Sequence, residues 1–218
     1  KKLIRNWLMN LKGKGLLSAT IGNDPKLADI IKMVHPKPSD EAMNAYFGWA
    51  IGKEFDANKL PDVVKNYVTW LKNPSDEIPD VDFRLLTSSE LSDDMWKKIA
   101  VRASWQTIRQ SLNTFERHGC FKDKEVVKTI AAKLKDPEEI KRARCFPYQL
   151  MATYMNISDE TPRVIKDALH DAMEIAVANV PTYSGKVVVC PDVSGSMSSP
   201  ITGYRTGSTS KMRCIDVA

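Results

Sequence analysis

Up to about residue 180 the order of apolar and polar positions reads as helix after helix. Residues 93–118 are the most legible: Val101, Trp105, Ile108, Leu112 and Phe115 recur at steps of four and three and mark one buried stripe. Lys98, Arg102 and Arg109 lie mostly off that stripe. Trp105 has the surface to stack on a base, but its place in the stripe favours core packing. Gly119 reads as the C-terminal cap, with Arg117 and His118 in the last turn, where cations interact favourably with the helix dipole.

Capping signals predict the other helices. Asn23-Asp24-Pro25 precedes ADIIKMV, Ser39-Asp40-Glu41 opens EAMNAYFGWAIG, and Leu60-Pro61-Asp62 opens DVVKNYVTWLK, which ends near Asn73-Pro74. Ser92-Asp93-Asp94 caps the long helix. Asp136-Pro137-Glu138-Glu139 starts the next, which is expected to include Phe146-Pro147, and Thr161-Pro162 starts RVIKDALHDAMEIAVANV. Helices of this length with short connections fit a mainly α fold of stacked pairs, a HEAT-like α-solenoid, although no exact repeat is present.

At Pro181 the pattern changes. Pro181-Thr182-Tyr183-Ser184-Gly185 reads as a turn, and Lys186–Cys190 is β-branched and unbroken. An apolar run without alternation suits a central parallel strand covered on both faces. The expected organisation is therefore helical repeats over 1–180 and the start of an α/β domain over 181–218.

Bulk properties narrow the class. The chain has 218 residues, 43% of them hydrophobic and 27% charged, as expected of an ordered fold of one domain or one domain and part of another. No apolar run approaches the ~20 residues of a membrane span, and the charged opening KKLIRNWLMNLKGKG does not resemble a secretory signal. The absence of an initiator methionine and the ending CIDVA suggest part of a longer protein. Cys120, Cys145, Cys190 and Cys214 show neither zinc-knuckle spacing nor a disulfide framework, so reduced thiols in the cytoplasm are expected.

The net charge of +5 is unevenly placed. Residues 1–35 carry seven Lys/Arg against two acids, residues 36–96 six against twelve, residues 97–145 thirteen against six, and residues 146–218 six against seven. Two basic blocks flanking an acidic one are either a footprint for nucleic acid or ordinary solvated helix faces.

The candidate strand runs into VVVCPDVSGSMSS. Asp192, Ser194 and Ser196 form D-x-S-x-S directly after it, and ligands bind beyond the carboxyl ends of parallel strands. One carboxylate and two hydroxyls on a tight loop fit Mg²⁺, which takes oxygen ligands and keeps several waters. The alternative is a plain polar turn. A serine-hydrolase elbow is excluded because position 192 is Asp. A phosphate loop is excluded because Gly203-Tyr204-Arg205-Thr206-Gly207 has the wrong spacing and no following Lys. A D-x-D site would need an acid where Ser194 stands.

D-V-S-G-S-M after a hydrophobic strand resembles the metal-ion-dependent adhesion site (MIDAS) of von Willebrand factor A domains. Three further segments, IIKMVHPKPSDEAMNAYFGWAIGK (30–53), IRQSLNTFERHGCF (108–121) and KRARCFPYQLMATY (141–154), resemble the TROVE-domain family of Ro RNA-binding proteins, most of all its bacterial members. The resemblance implies a ring of HEAT-like helices closed by an A domain, of which this chain would supply later repeats and the first strand. It implies binding of small noncoding Y RNA on a basic surface, capture of single-stranded ends of misfolded or structured RNA, and work with an exoribonuclease in RNA quality control. It implies a ribonucleoprotein scaffold, not an enzyme, with no membrane role.

By position, the resemblance carries RNA contact to Lys32, His35 and Lys37, to Arg109, Arg117 and His118, and to Lys141, Arg142 and Arg144. It carries a divalent cation, Mg²⁺ by its chemistry, to Asp192, Ser194 and Ser196. The family's Thr and second Asp ligands fall outside the sequence, and Ser18 and Gly22 stand roughly where the family has basic residues. Pro36 gives His35 a purely structural reading too, because it biases residue 35 away from the right-handed helix. A metal-dependent protein-binding module on a helical scaffold is the alternative function. A metal-assisted hydrolase is the weakest reading, since no His, Asp or Glu base accompanies Asp192.

Overall fold

The computed structural model describes residues 1–22, 24–75, 77–204 and 210–217. Asn23 and residues 205–209, which figured in the reading of caps and loops, lie outside these. The chain divides into two compact units, Lys1–Met95 and Trp96–Ala218.

The first unit holds six helices among its described residues: α1 (Lys2–Met9), α2 (Lys14–Ser18), α3 (Leu27–Val34), α4 (Glu41–Ala50), α5 (Asp62–Lys72) and α6 (Phe83–Leu86). Their starts follow local chemistry. The Asp40 carboxylate accepts from the Ala42 N–H at 3.0 Å to open α4, and Asp82 does the same for Arg84 at α6. Helix α5 begins after Pro61 and stops at Asn73, as expected. Helix α3 begins later than Pro25 suggests, with Lys26 in the capping position. Leu8, Leu17, Tyr46 and Val64 are fully enclosed, and the Tyr46 hydroxyl donates to the Leu16 carbonyl at 2.6 Å. Burial holds that phenol well above its ordinary pKa.

Helix α7 (Asp93–Arg102) is followed in the second unit by α8 (Trp105–Arg117), α9 (Lys124–Leu134), α10 (Pro137–Ala143), α11 (Pro147–Asn156) and α12 (Arg163–Ala176). The long helix expected over 93–118 is thus two. It breaks at Ala103-Ser104, where the Ser104 hydroxyl accepts from the Thr107 N–H to start α8. The break takes Val101 out of the stripe, leaving it 38% exposed, while Trp105, Ile108, Leu112 and Phe115 stay buried. The helix expected to run through Phe146-Pro147 also divides. Arg144 turns left-handed and ends α10, and Pro147 opens α11 at a position where its missing N–H loses nothing. Helix α12 packs against both α9 and α11, and Ile130, Leu134, Leu150, Ile165 and Leu169 fill the core between them.

Beyond Val180 the described residues are largely irregular. Lys186–Cys190 has no regular structure and pairs with no strand among the described residues, and Val187, Val188 and Val189 are 65%, 81% and 76% exposed. The expected covered central strand is not formed here. A strand leaves its N–H and C=O groups to a neighbour, and no described segment offers it an edge. The loop that follows forms a 3-10 turn at Gly195–Ser198, and an isolated bridge joins Pro200 to Arg213. Met212 is fully buried, and the Lys211 N–H donates to Asn156 Oδ1 at the end of α11. No described helix is long and apolar enough to cross a membrane.

Candidate nucleic-acid interface and metal loop

Three groups of candidate residues emerge, and they differ in what holds them. In the first unit, Lys32 occupies the last turn of α3 and His35 caps it. Pro36 keeps His35 out of the right-handed helix, and the residue adopts the left-handed region instead (φ 50°, ψ 61°), with its N–H donating to the Ile31 carbonyl at 2.9 Å. The Arg5 guanidinium donates to the last carbonyl of α3, that of Val34, at 3.2 Å. Lys32, His35 and Lys37 are all exposed and line one groove of about 440 Å³.

The second group is split: the end of α8 lies by the start of α12, where Glu116 meets Thr161, and the end of α10 lies beyond the other end of α12, at Asn179. Lys141, Arg142 and Arg144 are exposed where α10 ends. Arg142 pairs with Glu139 one turn back, whereas Lys141 and Arg144 form no ion pair among the described residues. Arg144 is left-handed (φ 48°). Among the described residues it and His35 are the only non-glycines with positive φ. At the corresponding end of α8 the left-handed residue is Gly119 (φ 67°), as expected of a cap. Arg117 is exposed in the last turn of α8, with its guanidinium near the Thr114 hydroxyl at 3.4 Å. His118 is half-buried and stacked on Trp96, ring centroids 4.4 Å apart, so its face is already engaged.

Arg109 is held differently. Its guanidinium donates from one nitrogen to the Gln149 carbonyl and to the Thr153 hydroxyl, both at 3.1 Å, and lies 5.9 Å from the Trp105 ring centre. It fastens α8 to α11. Its Nε is buried without a hydrogen-bond partner. Burial pushes the neighbouring Cys145 thiol up, with the Arg109 charge pulling the other way. The Trp105 indole donates to the Leu134 carbonyl at 2.9 Å, the core role its stripe position favoured.

The third group is the oxygen loop. The Ser194 N–H donates to Asp192 Oδ1 at 2.9 Å, and the Ser194 and Ser196 hydroxyls are 2.9 Å apart. That first contact, with the Ser194 side chain adding to it, holds the Asp192 carboxyl below the usual carboxylate range. The 2.9 Å between the two hydroxyls is a hydrogen-bond distance, and it is also the spacing of adjacent oxygens on octahedral Mg²⁺ with ligands at about 2.0–2.1 Å. Among the described residues no group of three or more His, Cys, Asp or Glu side chains is placed to hold a metal. A cation at this loop would take one carboxylate and two hydroxyls from this chain.

Two groove residues were not singled out from sequence. Asn44 on α4 and Lys53 beyond it line the same cavity as His35. The signal was the Gly52-Lys53 pair ending the first of the three family-like segments.

No protein-family model and no curated protein matches the sequence. Among solved structures the chain is similar in fold to the crystal structure of the Deinococcus radiodurans Ro (RSR) protein, with a TM-score of 0.58 and 20% identity. The likeness covers 82% of this chain and 41% of that one, so the chain spans about two fifths of its solved neighbour. The mainly helical architecture is thus Ro-like.

Proposed function

We propose that the chain is part of an RNA-binding scaffold of the Ro type, acting in the cytoplasm as a binder and not as an enzyme. In this reading the helices are HEAT-like repeats, and Lys186–Cys190 is the first strand of a von Willebrand factor A domain. The RNA ligands are small noncoding Y RNA and the single-stranded ends of misfolded RNA, with an exoribonuclease as working partner. The observation that carries it is the placement of His35 and Arg144. Both are basic residues of family-like segments, and both occupy a left-handed position that glycine takes with less strain. Strained backbone of this kind clusters at functional sites.

The chemistry is electrostatic. Lysines and arginines neutralise phosphates and release counterions, so affinity falls steeply with salt. The RNA copurifying with the protein, identified by sequencing, should be small and noncoding. Titration from 50 to 200 mM salt should give a clear negative slope, and the triple variant Lys141→Gln, Arg142→Gln, Arg144→Gln should flatten it. A flat titration of the unaltered protein would sink the reading.

The Asp192 loop supports the metal part, with Mg²⁺ neutralising its oxygens and leaving positions open for water or a partner's carboxylate. Its exposure also favours a second reading, a metal-dependent protein-binding module. Chelator-sensitive capture of a protein, with no RNA copurifying, would favour that reading over the first.

A further inference from the structure

The groove at the end of α3 contains more than the residues that resemble the family's RNA contacts. Lys53 and Asn44 line it together with Lys32, His35 and Lys37, and Glu54 is its one acid among the described residues. Among the described residues none of the three lysines forms an ion pair. Lys14 and Lys59 in the same unit do, with Asp80 and Glu41. The Asn44 side chain makes no hydrogen bond among the described residues and is exposed. Ile51 and Gly48 give the groove a half-buried apolar floor.

Lys53 is brought there by a tight return of the chain. Its N–H donates to the Gly48 carbonyl at 2.9 Å. A side chain at Gly48 would meet the Glu54 carbonyl oxygen and the Phe55 Cβ, each at 3.2 Å. Glycine at 48 therefore lets the turn lie close against α4.

We infer that Lys53 and Asn44 complete this groove as a site for an unpaired nucleotide, with Lys53 on the phosphate and the Asn44 carboxamide on the base edge. The inference rests on the RNA-binding reading above. Three ammonium groups with one carboxylate complement a phosphodiester. A carboxamide both donates and accepts, as a base edge requires. The apolar floor suits the face of a base, and a base reaches it only when unstacked from its neighbours.

The test is fluorescence anisotropy with a labelled single-stranded decamer of uridine, adenosine or cytidine and with a ten-pair RNA duplex. Lys53→Gln removes one phosphate contact, which for single strands lowers the salt slope by about 0.7 and affinity about fivefold at 0.1 M salt. The duplex should be unaffected. Asn44→Ala should weaken one homopolymer more than the others at unchanged salt slope. Gly48→Ala should reproduce the Lys53→Gln loss with no change of charge, and Lys72→Gln, outside the groove, should change nothing. Thermal melts check that each variant folds. If the unaltered protein binds the decamer and both Lys53→Gln and Asn44→Ala bind it equally well, the nucleotide site is wrong while the RNA reading stands. Equal losses on decamer and duplex also overturn it, by making Lys53 a general phosphate contact. If the unaltered protein binds neither RNA, the RNA reading falls and takes this site with it.

Discussion

Helix α3 ends on His35 and helix α10 ends on Arg144, each with a bulky basic residue where α8 uses Gly119. The backbone solution is the same at both ends, and the surroundings differ. The end of α10 is bolted down: the Asn179 amide, just beyond α12, donates to the Ile140 carbonyl at 3.1 Å and the Cys145 carbonyl at 2.9 Å. Nearby, Arg109 ties α8 to α11. Among the described residues the end of α3 has one such tie, from Arg5 to Val34, and it opens onto a groove. A fixed, exposed basic end suits recognition of a folded RNA by its backbone and shape. A lysine-rimmed groove suits one strand. The two ends are therefore expected to respond differently to mutation.

The largest effect should come from removing the Arg109 tie between α8 and α11. Arg109→Ala loses two hydrogen bonds from a charged donor and its contact with Trp105. It should cost about 2–3 kcal/mol in denaturant unfolding. RNA affinity per folded molecule should change little, because that guanidinium already has protein partners. Unchanged stability with weakened RNA binding would instead make Arg109 a ligand residue. Next comes Asn179→Ala, which leaves the Cys145 carbonyl short of a donor while that of Ile140 keeps the Cys145 N–H, and should cost about 1–2 kcal/mol. It should weaken binding of folded RNA more than of a single strand. An equal loss on both would erase the distinction between the two ends.

How far this contrast was readable in the sequence depends on the range of each interaction. The starts of α4 and α5 and the buried face of α8 were legible because caps and stripes act within one turn. The break at Ala103-Ser104 was missed because the apolar spacing runs through it, although Ser104 and Thr107 carried a capping signal. The spacing sets Arg109 mostly off the stripe, yet the residue lies beside Trp105 with its Nε buried, and its partners Gln149 and Thr153 lie 40 and 44 residues away. No local pattern encodes that pairing. The same limit applies to Lys186–Cys190, whose valines announce a strand but not the neighbour that would cover them. The groove was half visible: Lys32, His35 and Lys37 fall in one short segment, and Lys53 joins them only through the turn against Gly48.

The caps themselves offer a smaller and opposite effect. Glycine reaches the left-handed region without the crowding a side chain brings. His35→Gly and Arg144→Gly should each raise stability by about 0.5–1 kcal/mol, read by denaturant midpoint, while lowering RNA affinity. For His35→Gly the loss should fall on the single-stranded decamer, and for Arg144→Gly on folded RNA. If either variant is more stable and binds as well as before, the strain at that end is unrelated to RNA.

The smallest effect on stability is expected where the chain is most open. Asp192 is exposed, and its described contacts are with the Ser194 segment of its own loop, so Asp192→Ala should leave the unfolding midpoint unchanged. Its effect should appear in cation binding, measured by calorimetry with Mg²⁺ or by water-proton relaxation with Mn²⁺. Protons compete with the metal only where the carboxylate takes them up. The Ser194 N–H favours the charged form and holds that pKa below the ordinary value of about 3.9. Affinity should therefore be flat from about pH 5 to 8 and fall only as pH descends through the lowered pKa. A titration centred near the imidazole range, about pH 6.5, would assign the ion to a histidine elsewhere. Binding that survives Asp192→Ala intact would make the loop a polar turn. In either case the two helix ends would remain the proposed basis for RNA recognition, since neither depends on the metal loop for its charge.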